Sequence, residues 1–172
     1  MKKVFTLLFA IAILSSCESN LDPIEITAST SITESVAVSI PQTTGTPISY
    51  DENSTQDLNQ LISNLNQVTG INIDALSYKL KNATGNTNAV IQSASVVVNG
   101  NTVASISNVN IAQEATAGTV FSITDTAVLD QIESELLSDP TVTLQFMGTA
   151  LSDDGQIDFA VEFSLNLTVT FQ

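Results

Sequence analysis

Histidine, arginine and tryptophan are absent from the chain, and cysteine occurs once. Without histidine there can be no Ser-His-Asp triad, no Cys-His dyad and no histidine-based zinc site. A lone cysteine cannot close an internal disulfide, so stability must come from packing. No glycine-rich phosphate loop is present. Positive charge is nearly missing too: the four basic residues are all lysines, Lys2, Lys3, Lys79 and Lys81, against 18 acidic residues. Nucleic acids are dense polyanions whose binding needs basic patches, so nucleic acid is excluded as a partner. Docking of the folded domain on anionic lipid is disfavoured for the same reason. Charged residues of both signs make up 13% of the chain, about half the usual share. Ser, Thr and Asn take their place. The negative excess reads as an aid to solubility and spacing rather than as a device for cation capture.

What is present begins with an export address. Lys2 and Lys3 precede an apolar run of eleven residues from Val4 to Leu14, interrupted only by Thr6. A membrane-spanning helix needs about 20 residues, so the run is too short to span. It ends in Leu14-Ser15-Ser16-Cys17. This segment resembles the lipobox of bacterial lipoproteins: a leucine, two small residues, then cysteine. The resemblance implies cleavage just before Cys17 and acylation of its thiol. Residues 1–16 are then a signal peptide. An ordinary secretory signal that happens to contain a cysteine is the alternative. One acyl chain anchors weakly and two or three anchor stably; members of this family carry two or three. Residue 18 is Glu rather than Asp, which in the enteric pattern favours the outer membrane. Glu18, Asp22 and Glu25 loosely resemble the surface-export signals of Bacteroidota lipoproteins. Periplasmic and cell-surface orientations both stay open.

Removing the first 16 of 172 residues leaves 156, enough for one domain of ordinary size. The mature chain keeps 2 lysines and 18 acids, a side-chain charge of −16. Residues 17–29, with Ser, Asn, Asp and Pro23, read as the acylated Cys17 and a flexible tether. Residues 30–172 read as a single β-sandwich domain.

Within that domain, Ile32, Val36, Val38 and Ile40 alternate as one strand face, broken by Glu34 and closed by Pro41. Residues 41–53 read as a loop, or a short strand near Ile48 and Tyr50. Leu58, Leu61, Ile62, Leu65 and Val68 then recur at helical spacing, with Ser54 or Thr55 as cap and Gly70 as stop. An amphipathic helix near 55–68 is expected. Ile71–Lys81 is a strand whose apolar parity shifts, which predicts a bulge near Asp74–Ala75. Residues 82–88 read as a loop. Val90–Val98 and Thr102–Ile111 flank Asn99-Gly100-Asn101, a strong hairpin signal because both Asn and Gly tolerate positive φ. A turn at 114–118 and a short strand at 119–124 follow. Asp125 caps a second helix near 126–138, striped by Val128, Leu129, Ile132 and Leu136 and stopped by Asp139-Pro140. Thr141–Leu151 is a strand and 152–155 a turn. Finally, Ile157, Phe159, Val161, Phe163, Leu165, Leu167, Val169 and Phe171 alternate without a break. Fifteen residues make a strand of about 50 Å, long enough that it should bend or pair with two different neighbours. The expected fold is a mostly β, antiparallel sandwich of about seven or eight strands with two covering helices. A membrane barrel is disfavoured, because the strands are too few and the lipid anchor would be redundant.

Candidate chemistry is sparse. Asp153, Asp154, Asp158 and Glu162 could in principle form a glycosidase pair. Turn chemistry beside Gly155 and a solvated strand face account for them. Asp153, Asp154 and Asp158 are also weak calcium candidates, but the run lacks EF-hand spacing, and no metal or other cofactor is expected. Asp125-Thr126-Ala127 resembles the O-glycosylation site of Bacteroidota, with Thr126 as acceptor; capping accounts for the same Asp125. The expected function is that of a lipid-anchored, non-enzymatic envelope protein. It would act in binding or adhesion, or as accessory subunit of an outer-membrane assembly with an envelope protein as partner. A module for glycans or small hydrophobic ligands, with a pocket near Tyr50 or Tyr78, is the alternative. A carboxylate-based hydrolase is the least favoured.

Overall fold

In a computed structural model of the chain, residues 25–60 and 67–172 are described. The signal segment, Cys17 and the apolar residues Leu61, Ile62 and Leu65 lie outside them. The architecture follows from the last strand. In β8 (Ile157–Phe171) every second residue from Ile157 to Val169 is buried, and the residues between them are partly or fully exposed. One side of β8 pairs with β1 (Ile26–Ile40) in an unbroken antiparallel register, from Ile26 opposite Phe171 to Ile40 opposite Ile157. The other side pairs with β3 (Val68–Gly85). The long strand does serve two neighbours. Beyond β3 lies the three-residue β6 (Phe121–Ile123), giving a sheet ordered β1-β8-β3-β6.

The second sheet is ordered β2-β7-β4-β5, from β2 (Ile48–Asp57), β7 (Thr141–Leu151), β4 (Val90–Val98) and β5 (Asn101–Asn110). Both sheets are antiparallel and four-stranded, and their inner faces enclose one apolar core. Phe146 is fully buried, 5.5 Å from the Tyr50 ring and edge-on to Phe159 in the opposite sheet. Each sheet keeps its own edges, so the strands form a sandwich rather than a closed ring. No helix among the described residues is long and apolar enough to cross a membrane.

Local chemistry explains the turns and shifts. Asn99 and Gly100 both adopt positive φ, as the Asn-Gly hairpin requires. The β3–β8 register slips between Ile73 and Ala75, where the change of parity predicted it. A second slip, between Lys81 and Thr84, passes through Asn82 at φ 55 and carries β3 on to Gly85, into the expected loop. Helix α2 (Thr126–Ser138) starts where Asp125 accepts from the amides of Ala127 and Val128. It buries Ile132 and Leu136. With α1 (Ile111–Ala117) it packs on β3 and reaches β5, on the side away from the β1 and β2 edges.

Three expectations are corrected. Thr55–Asp57 are not helical: they end β2, paired with Thr143–Thr141 of β7. Leu58–Gln60 make a single 3-10 turn. The Leu58 amide donates to Pro140 O at 2.8 Å, and Asp57 Oδ1 accepts from Asn59 N. A ladder offered by a distant strand outcompetes the local helical period here. Second, residues 111–117 form α1 rather than a strand end and turn. Asn110 caps it by accepting from Gln113 N, and Gly118 closes it at φ 64. Seven residues are too few for a helical stripe to show. Third, Ile26–Ser29 belong to β1, not to the tether, because β8 extends to Phe171 and pairs with them.

Candidate functional site

The acidic turn after β7 sits at one end of the sandwich and is committed to holding loops together. Ser152 is fully buried; its amide donates to Thr43 Oγ1 at 2.8 Å, and its hydroxyl accepts from Asn86 Nδ2 at 2.9 Å. The Thr43 hydroxyl donates to Asp153 Oδ1 at 2.6 Å, and the Gly45 amide donates to the same oxygen at 2.7 Å. These bonds hold the Asp153 carboxyl below its ordinary pKa, the Thr43 hydroxyl first. Asp154 accepts from Asn88 Nδ2 at 3.0 Å. Asp158 stands on the outer face of β8, where hydrogen bonds from Ser39 and Gln156 hold its pKa low. The three aspartates thus serve separate partners. Among the described residues, no three His, Cys, Asp or Glu side chains gather where they could hold a metal ion.

Glu162 anchors the other polar cluster. Lys79 approaches it at 2.8 Å, and Lys81 bonds its second oxygen. The hydrogen bonds from the two lysines hold the carboxyl below its usual range. A glycosidase acid needs the opposite, a carboxyl kept protonated near neutrality. Glu162 also occupies both lysines of the described residues.

Neither tyrosine is presented as a stacking platform. Tyr78 is 3% exposed and lies between Phe121 and Phe163. Tyr50 is 8% exposed, and its buried hydroxyl lacks a hydrogen-bond partner among the described residues. Burial pushes both phenols above their ordinary pKa. Beside Tyr50, the outer face of the second sheet forms an open groove of about 640 Å³. Ser49, Ser93, Ser95, Ser105, Ser107 and Thr149 line it with short hydroxyls. The strands close up under it: a Cβ on Gly148 would lie 2.1 Å from Ser93 O and 2.7 Å from Ala94 Cα. Thr126 is exposed in the first turn of α2, next to the cap Asp125.

The sheet edges remain. The β6 edge is three residues long, and both helices reach the β5 edge. The β2 edge carries Asp51, Glu52 and Asp57. The β1 edge differs from all of these. It runs fifteen residues without a bulge, and among the described residues β8 is its only partner in the sheet. Its outward side chains are Thr27, Ser29, Ser31, Thr33, Ser35, Ala37 and Ser39, all small and uncharged. Its one acid, Glu34, points inward and accepts from Ser54 Oγ of β2 at 3.0 Å. The break at Glu34 suits an edge or a strand end, but it shows neither the strand's length nor its partner. The unbroken Ser/Thr/Ala series at odd positions 27–39 is the signal that could have shown it.

No protein-family model matches the chain, and no curated protein does. Among solved structures, it is similar to a decameric BFDV capsid protein at a TM-score of 0.45 and 11% identity. That match covers 84% of this chain and 99% of the capsid chain.

Proposed function

We propose that this is a lipid-anchored, non-enzymatic protein of the bacterial outer membrane that works by binding another envelope component. One observation carries the reading: a long edge strand, paired among the described residues with β8 alone, begins at Ile26, nine residues after Cys17. Nine residues span at most about 30 Å. An acylated Cys17 would therefore hold the Ile26 end near the lipid surface. The loops at 41–47 and 152–156 would point away, about 50 Å further out along β1. The low carboxyl pKa values at Asp153, Asp158 and Glu162, and the buried tyrosines, favour this over a hydrolase or a glycan module.

Replacing Cys17 with serine tests the anchor. The variant should leave the membrane pellet for the soluble fraction, and metabolic labelling with a fatty acid should vanish with it. A C17S protein that still pelleted with membranes would overturn the reading.

A further inference from the structure

We propose that the free edge of β1 takes up an extended, lysine- or arginine-bearing polypeptide segment as a fifth strand of its sheet. The inference deepens the binding-subunit reading and rests on it, but not on the anchor.

In an antiparallel pair, half of a strand's backbone N–H and C=O groups face its partner and half face away. For β1 the second half pairs with no strand among the described residues, although β2 of the other sheet packs close by. Natural edges are protected by bulges, prolines, lysines or very short length. From Ile26 to Ile40 there is no proline, no lysine and no register shift. The inward Glu34 is the sole protective device. Its position also says what an added strand would meet. Glu34 reaches Ser54, and Glu52, two positions from Ser54, projects to the same side of β2. Two carboxylates therefore stand along the seam where the β1 and β2 edges pack together. On the outer side, Ser31, Thr33 and Ser35 leave room for long neighbours.

Charge selects the occupant. Residues 25–60 and 67–172 hold 16 acids and 2 lysines, and Glu162 engages both lysines. A second copy of the chain would bring the same negative field to the edge. A segment with cationic side chains at alternate positions would set them beside Glu34 and Glu52 and pair its backbone with β1. This is strand addition, in which the main chain supplies affinity and alternate side chains supply selectivity.

The test uses the full chain, purified from membranes in nonionic detergent, and three labelled decapeptides. One alternates threonine and lysine, one alternates threonine and glutamate, and one has the first composition with prolines replacing alternate threonines. The threonine–lysine peptide should bind at least tenfold tighter than either other, and should slow amide exchange at alternate residues of β1. The double variant E34Q/E52Q should reduce that preference while leaving the fold intact by circular dichroism. Equal binding of the proline peptide would mean charge attraction alone, and would overturn the inference. So would unchanged exchange along β1, or sedimentation showing a dimer of the free chain with β1 protected. The C17S chain should bind the peptide equally. Loss of peptide binding with normal release of C17S from membranes would sink this inference and leave the anchor standing.

Discussion

Tyr50 shows how a single group can be placed against its own interest. Its ring stacks on Phe146 in the core, yet its hydroxyl is buried without a hydrogen-bond partner among the described residues. An unsatisfied buried donor costs about 1–3 kcal/mol. Tyr50→Phe is therefore expected to raise stability by about 1 kcal/mol in urea unfolding; a clear loss would mean that the hydroxyl is satisfied. The carboxylates run the other way. Asp153, Asp158 and Glu162 all have pKa values lowered in the fold. Each binds its proton less readily folded than unfolded, so its contribution is complete above the unfolded value near pH 4. That contribution is lost as pH falls through the lower folded values. Urea midpoints should hold from pH 7 to about 5 and drop steeply below about 4. Glu162→Gln should lose about 1 kcal/mol at pH 7, the range of exposed ion pairs, and show a shallower acid decline. An acid decline as steep as the parent's would remove Glu162 from this account.

Among the elements, α2 couples to the sheet at the bulge. The slip between Ile73 and Ala75 takes β3 out of even register with β8, and the Ile73 amide donates to Glu133 Oε1 at 2.6 Å. A helix side chain thus completes the hydrogen bonding of a strand defect. Glu133→Ala should speed amide exchange at Ile73 by tenfold or more, while exchange in the β1–β8 ladder stays unchanged. A uniform increase across both would show that α2 acts only through global stability. The cap beside it was legible beforehand: Asp125 stands before an apolar stripe and accepts from Ala127 and Val128 in the fold. The segment after Ser54 was not, because its helical spacing and its strand partner pull in different directions. The partner β7 follows more than 80 residues later, and Thr55 pairs with Thr143.

For the molecule as a whole, the excess of acids is the dominant electrostatic fact. Sixteen acids against two lysines over the described residues make the compact state repel itself. Added salt screens that repulsion over about 10 Å at 0.1 M. The melting temperature should climb as sodium chloride rises from about 10 mM to about 500 mM, although the Lys79 and Lys81 pairs weaken. A fall over that range would mean that the two lysine pairs outweigh the net field. The same field argues for a cationic partner at β1 and against self-association.

The amino-acid order alone determined the elements whose signal is local and unmixed. The eight-fold alternation of β8, the Asn99-Gly100 turn, the Asp125 cap and the parity change before Ala75 each depend on neighbours a few residues apart. The sandwich class follows, because dry and wet faces alternate along the strands. The tertiary structure alone decided where strands meet. Ile26 lies opposite Phe171, residues 55–57 extend along β7, and Asp153 binds Thr43 and Gly45 rather than a ligand. It also decided that, among the described residues, β8 is the one strand paired with β1. Side-chain periodicity fixes which way a strand faces, but backbone hydrogen bonds are indifferent to sequence, so the choice of partner emerges only when the whole core closes.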